Sequence, residues 1–287
     1  MRFGVIGDIH LEFDDVDVEQ LDAAGYDAIL FVGDLANFSQ RGGLEVASRM
    51  ARLETPALMI PGNHDAAHVG QMAAEVFEAE ALIPLMTLGQ RARTEALREA
   101  LGPVQVGGYS RHRFIKDDRT VDVIAARPHS AGGPRLSFRP HLEDLFDIHD
   151  LEDSVRRLRA LVDESDADEL VFLAHNGPHG LGEKRDDIWG CDFRKTEGDF
   201  GDLDLERAIE HALRRGRTVR AVVAGHMHHE LRGGGARRWK HERGGVLYIN
   251  AARVPRVFER AGRTLRHHVA LTLGEDGAHA REVLLST

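Results

Sequence analysis

The sequence predicts an α/β fold in which two mixed β-sheets pack as a sandwich flanked by helices. Three observations predict it. Five short apolar runs each end in a cluster of Gly, Asn, Asp or His. Those runs are continuous rather than alternating, as expected of strands buried on both faces. Between them lie stretches with helical periodicity, which is the α/β signature.

The first run, Phe3–Ile6, leads into Gly7-Asp8-Ile9-His10, and the second, Ala28–Val32, into Gly33-Asp34-Leu35-Ala36-Asn37. The third, Ala57–Pro61, precedes Gly62-Asn63-His64-Asp65. Leu170–Ala174 then precedes His175-Asn176-Gly177-Pro178-His179, and Arg220–Ala224 precedes Gly225-His226-Met227-His228-His229. Helices are expected at Val18–Ala24, Leu44–Leu53, Glu75–Leu82, Thr94–Leu101 and Leu205–Arg214, with the longest over His141–Val162. Val104–Gly107 and Val121–Ala125 read as strands separated by a basic turn, Arg111–Arg119. Val246–Asn250, His268–Leu273 and Arg281–Leu284 read as antiparallel or edge strands of a second sheet. The clusters run from Asp8 to His228, so residues 1–287 are expected to form one catalytic domain. A cap or insert is expected at about 66–140, and a glycine-rich loop beside the site at 176–204.

With 287 residues the chain can bury a sizeable core, and 42% hydrophobic with 29% charged residues is ordinary for a globular protein. A net charge of −10 disfavours non-specific binding to nucleic acid or anionic membranes. Cys191 is the only cysteine, so no intramolecular disulfide forms. The chain enters its first strand at once and has no apolar stretch of membrane-spanning length. Both features point to a cytoplasmic protein without a signal peptide.

In open α/β sheets ligands bind beyond the carboxyl ends of the strands, so clusters scattered in sequence can converge at one edge. Asp8-x-His10 sets a carboxylate and an imidazole two residues apart, on the same side of an extended backbone, and His226-x-His228 repeats the spacing. With Asp34, Asn63 and His175 the set holds two carboxylates, one amide oxygen and four imidazoles. Nitrogen and oxygen donors without thiolate suit Mn, Fe, Zn, Co or Ni, and two divalent ions, Mn first among these, are the expected cofactors. Seven donors exceed one open site and fit two metals sharing a carboxylate. A pair of that kind, ~3.5–4 Å apart, serves in-line displacement at phosphorus by activating a bridging water.

The ordered series D-x-H, G-D, G-N-H-D, H and G-H-x-H resembles the calcineurin-like metallophosphoesterase superfamily over residues 8 to 228. The resemblance implies its four-layer fold. It implies Asp8, His10 and His228 on the first metal, Asn63, His175 and His226 on the second, and Asp34 bridging them. His64 would face the phosphate and stabilise the transition state or protonate the leaving oxygen. One position departs from the pattern. Many relatives carry a second aspartate three residues after the bridging one, paired with the histidine matching His64, and here that position is Asn37. An uncharged Asn37 would support a charged His64 less, unless Asp65 or another acid takes its place.

Two basic clusters are candidates for a second phosphate or a nucleotide. They are Arg111, His112, Arg113, Lys116 and Arg119, and Arg232, Arg237, Arg238, Lys240 and Arg243. The second is favoured because it continues from a ligand loop. His179 and His229, beside ligands, are assigned a supporting or substrate role; His112, His129, His141, His149, His211, His241, His267 and His268 are read as surface or structural. The resulting expectation is a two-metal phosphoesterase acting on a small-molecule or nucleotide phosphodiester. A phosphomonoesterase or protein phosphatase, a non-catalytic scaffold of the same fold, and a single-metal hydrolase are the rivals. The scaffold predicts a missing ligand, and none is missing.

Overall fold

A computed structural model describes residues 1–37, 39–77, 79–193 and 198–286. In chain order the elements are β1 (Arg2–Ile6), α1 (Asp15–Ala23), β2 (Ala28–Phe31), α2 (Gln40–Met50), β3 (Ala57–Met59), α3 (Val69–Val76), α4 (Ile83–Met86), α5 (Gln90–Leu101) and β4 (Gln105–Val106). There follow β5 (Ser110–Lys116), β6 (Arg119–Ala125), α6 (Arg139–Phe146), α7 (Leu151–Asp163), β7 (Glu169–Leu173) and α8 (Leu203–Arg214). The last are β8 (Thr218–Ala224), β9 (Lys240–Arg243), β10 (Val246–Asn250), β11 (Val257–Arg260), β12 (Arg263–Gly274) and β13 (Gly277–Ser286).

Two sheets result. One runs β11-β12-β1-β2-β3-β4 with β13 also on β12, the other β5-β6-β7-β8-β10-β9. β1, β2, β3 and β4 are mutually parallel, as are β6, β7, β8 and β10, so the ligand clusters that follow these strands lie at carboxyl ends. The expected run-on from buried strand to cluster has a direct packing cause. Val5, Leu30, Val32 and Leu58 of the first sheet interlock with Val123, Val171, Leu173 and Val223 of the second. The alternate residues Ile29 and Phe31 meet Leu21, Val46, Met50 and Leu97 of α1, α2 and α5. On the other side Leu170, Phe172 and Val222 meet Leu158, Leu161, Leu205 and Ile209 of α7 and α8. Both faces of these central strands are therefore buried, giving four layers.

Several expected elements differ. The expected longest helix is two, because Asp147 adopts a left-handed conformation (φ 57°) that ends α6 before α7 begins from its Asp150 cap. The expected helix Glu75–Leu82 is displaced toward the N-terminus as α3; residue 78 lies outside the described residues, as do 194–197 of the 176–204 loop. β10 is parallel to β8 inside the second sheet, and β12 and β13 join the first sheet through β1, where Val5 pairs with Val269.

The predicted basic turn is a hairpin. β5 and β6 pair from Ser110↔Ala125 to Lys116↔Arg119, which places Arg113 opposite Asp122. The buried Asp122 carboxylate accepts bonds from Arg111 (2.9 Å), from Arg113 (2.8 and 2.9 Å) and from the Ser165 hydroxyl (2.6 Å). These arginines neutralise a carboxylate inside the protein and do not wait for an anionic ligand.

Burial pushes Asp122 up, but the bonds from Arg113, Ser165 and Arg111 outweigh burial and bring it down to about 2 from the ordinary 3.8. A folded value below the unfolded one adds stability that is complete above about pH 4 and lost as pH falls through about 2. Asp122→Asn should cost about 1–3 kcal/mol at pH 7 and flatten the acid limb of the urea midpoint. Parallel midpoint curves for variant and wild type between pH 4 and 2 would contradict this.

Candidate metal centre

The loops after β1, β2, β3, β7 and β8 meet at one edge of the sandwich. Main-chain bonds lock them together: His10 N–H to Asp34 O (2.8 Å), Gly225 N–H to His175 O (2.8 Å) and His129 N–H to Pro61 O (2.8 Å). The Asp8 carboxylate accepts the His226 N–H on both oxygens at 3.1 and 3.0 Å, which joins the first sheet to the second. This contact needs glycine at 225, since a Cβ there would sit 2.4 Å from Asp8 Oδ1. Gly62 is under the same constraint, its Cβ falling 2.2 Å from Asp34 Oδ1.

Asp8, His10, Asp34 and His226 all have positive φ, of 42°, 44°, 54° and 68°. For residues other than glycine this costs of order 1–3 kcal/mol each and persists only where the surroundings over-determine it. It also corrects the spacing argument from extended backbone. β1 ends at Ile6, and Asp8 and His10 converge because both turn left-handed beyond the strand end.

Two groups of ligand atoms form, Asp8 with His10 and His228, and Asp34 with His175 and His226, each within 4.8 Å. His10 Nε2 and His228 Nε2 stand 3.3 Å apart, and His228 Nε2 is 3.3 Å from Asp8 Oδ2. In the second group His175 Nε2 is 3.5 Å from Asp34 Oδ1 and 2.8 Å from Asn63 Oδ1.

The Nδ1 atoms of His10 and His175 are spoken for. His10 Nδ1 donates to Ala36 O (3.1 Å) and His175 Nδ1 to Val32 O (2.6 Å), which leaves the Nε2 lone pairs turned inward. Burial, then the hydrogen bond from His228 and the nearby imidazoles, compete at Asp8; the latter win and hold it below the usual carboxylate range. Burial pushes His226 down to about 3, with His175 adding to the effect, so His226 is a neutral imidazole.

These residues fit a pair of divalent cations on a specific ground. His226 Nε2 is buried with no hydrogen-bond partner among the described residues, in a donor set of nitrogen and oxygen only. A cation would satisfy that orphan lone pair and the crowded ones beside it.

The calcineurin-like phosphoesterase family model matches residues 1–230. The chain belongs to that family. That family suggests metal-dependent hydrolysis of phosphate esters, and a dinuclear divalent metal centre is general to it. Among solved structures, the protein TT1561 of Thermus thermophilus aligns with a TM-score of 0.51 at 12% identity, covering 98% of this chain and 97% of that one. The sulfate thiohydrolase SoxB of Thermus thermophilus, in complex with glycerol, gives 0.48 at 15% identity over 96% of this chain. This chain spans 41% of the thiohydrolase's length. A metallophosphoesterase from Sphaerobacter thermophilus gives 0.34 at 14% identity, covering 99% of this chain and 88% of that one. At 12% identity the TT1561 likeness shows the fold alone. No curated protein gives a significant match.

Around the ligand groups the remaining candidates separate. His64 lines the cleft; its Nδ1 bonds the main-chain carbonyl of Asn37, and its N–H donates to Asp34 Oδ1 (2.9 Å). Asn37 thus holds His64 through its backbone, whatever its side chain carries. Asp65 does not take the place of the second aspartate. Its carboxylate accepts N–H groups of Asp34 (2.8 Å), Leu35 (2.9 Å) and Gly62 (2.8 Å), clamping the loops of β2 and β3 together.

Of the second basic cluster only Arg232 reaches the site, lining every cavity that touches it, with its guanidinium 5.9 Å over the Phe193 ring. Arg237 is buried and donates to the carbonyls of His228 and Gly190, so it positions the His228 loop. Arg238 pairs with Asp187, Lys240 lies over Trp239, and Arg243 bonds Gly180 O, all away from the cleft. His179 faces Glu206 (3.5 Å), and His229 is buried against Asn250 O (2.9 Å); neither lines the cleft.

Two supports escaped the sequence. His129, classed with surface or structural histidines, is buried and donates from Nδ1 to Gly62 O (2.9 Å), directly beneath Asn63. Arg127 forms a buried cluster with Asp202 (2.9 Å) and Asp204 (2.9 Å), and Asp202 in turn accepts from the Asn176 side chain beside His175. No local motif marks either, because their partners are 67 and about 75 residues away in sequence.

Removing the Asp65 clamp leaves three buried N–H groups unpaired. Asp65→Ala should cost about 3 kcal/mol or more in urea unfolding and weaken Mn²⁺ binding by about 10–100-fold in titration calorimetry. Wild-type metal affinity in a folded variant would show that the clamp does not organise the ligands.

Proposed function

We propose that the protein hydrolyses phosphodiesters of a small molecule or nucleotide by in-line displacement, with two divalent ions, Mn²⁺ preferred. Asp8, His10 and His228 would hold one ion and Asn63, His175 and His226 the other, with Asp34 shared. The supporting observation is the shape of the cleft. A central cavity of about 180 Å³ over Asp34, Asn63, His64, His226 and His228 opens on two sides. One opening, about 670 Å³, runs past His10 toward α3; the other, about 480 Å³, runs past His226 toward Gly132, Arg135 and Phe200. Asn63 and His64 border both. A phosphorus seated between them has room for an ester arm in each direction, which a diester uses and a monoester does not.

When bound, the ions neutralise phosphoryl oxygens and lower the pKa of a coordinated water. The chain's own groups do the rest. His64, tethered through Nδ1 to Asn37 O, presents its opposite ring edge to the substrate, where Nε2 stabilises the transition state or protonates the departing ester oxygen. Arg232 holds a non-reacting phosphoryl oxygen from the roof of the cleft. The ligands come from both sheets, so residues 1–287 act as one catalytic unit.

Bis(4-nitrophenyl) phosphate should be turned over faster than 4-nitrophenyl phosphate by Mn²⁺-loaded protein. His64→Ala should cut kcat by about 10²–10⁴-fold with metal content unchanged. Preferential hydrolysis of the monoester would favour a phosphomonoesterase. Two bound ions without turnover of either ester would favour a scaffold.

A further inference from the structure

The larger of the two openings is chemically one-sided. Its polar side is His10, Asn37, Asn63, His64 and His228 with Arg232, and its wall is Val69, Met72, Ala73 and Phe77 of the α3 segment, with Val254 also lining it. The wall residues of α3 fall at i, i+3, i+4 and i+8, the spacing of one helix face. A helix face of this kind normally turns into a core. Met72 does so in part, meeting Ala67 and Phe138. Phe77 is 81% exposed and Val69 53% exposed, although both border the cleft. The one carboxylate on this side, Glu12, has its Oε2 held by the N–H groups of Arg256 (2.6 Å) and Val257 (3.0 Å).

We propose that the α3 wall is a specificity surface for a bulky apolar ester arm, an aryl or medium-chain alkyl group, on the phosphate ester that the site cleaves. The inference rests on the phosphodiester reading above and names its substrate class. The wall is continuous with the ligand groups, so an arm leaving phosphorus on that side has to cross it. Contact with Val69 and Phe77 removes apolar surface of both arm and wall from water. The opposite opening carries Glu75, Arg135 and Ser137, which the α3 side lacks, and so offers charged and hydrogen-bonding partners to a hydrophilic arm.

Binding tests this independently of turnover. Titration calorimetry of the Mn²⁺-loaded full chain with methylphosphonate and hexylphosphonate should give at least about tenfold tighter binding of the hexyl compound. In the double variant Val69→Ser/Phe77→Ser, whose substitutions are on exposed side chains, the ratio should fall below about threefold, with methylphosphonate affinity unchanged. Equal affinity of the two compounds for wild type, or an unaltered ratio in the variant, overturns the proposal and leaves the diester reading standing. Binding of neither compound overturns both.

Discussion

The contact on which the site depends is the Asp8 carboxylate receiving the His226 N–H. It joins the end of β1 to the end of β8, that is, one sheet to the other, at the point where both ligand groups form. Asp8 must turn left-handed to reach it, and residue 225 must lack a side chain to let it pass. Once made, the contact brings His226 beside His175 and His228 beside His10, at ring separations of 5.1 and 5.2 Å. A carboxylate that binds a backbone amide of the opposite sheet while facing a metal group sets the distance between the two halves of the centre.

The remaining interactions hold that arrangement against its own cost. Four ligand residues in left-handed backbone, and part-buried imidazole nitrogens facing one another, are unfavourable taken singly. The Asp65 clamp holds Asp34, the main-chain acceptors at Val32 and Ala36 hold His175 and His10, and His129 holds Gly62 next to Asn63, all by bonds outside the ligand atoms. Such preorganisation matters for phosphoryl transfer, where stabilisation of developing charge needs donors already in place. The cost is met by the dry sandwich below, in which nearly every residue of β1, β2, β7 and β8 next to the site is buried on both faces.

Much of this was legible in the sequence because burial and chemistry meet at the strand ends. Continuous runs such as Leu170–Ala174 announce strands buried on both faces, and the clusters after them carry the donors. Less legible was whatever depends on pairing across long separations. Arg111 and Arg113 read as a basic turn because Asp122, which neutralises them, is identified only by the β5–β6 register. Val246–Asn250 read as an antiparallel or edge strand because its parallel partner, β8, is chosen by packing rather than by local pattern. Of five basic residues after the last ligand loop, only Arg232 faces the cleft, and nothing in the run itself distinguishes it from Arg238. The α3 wall was hidden for the opposite reason. Its spacing is that of a core helix, and only its position over the cleft shows that it is uncovered.

The central claim is that this edge of the sandwich holds two divalent ions as a coupled pair sharing Asp34. Electron paramagnetic resonance of the Mn²⁺-loaded protein, with metal content measured on the same sample, addresses it directly. Two manganese ions per chain with the broad spectrum of an exchange-coupled pair is the predicted result. One ion per chain, or two giving only the six-line spectrum of isolated Mn²⁺, would contradict the account.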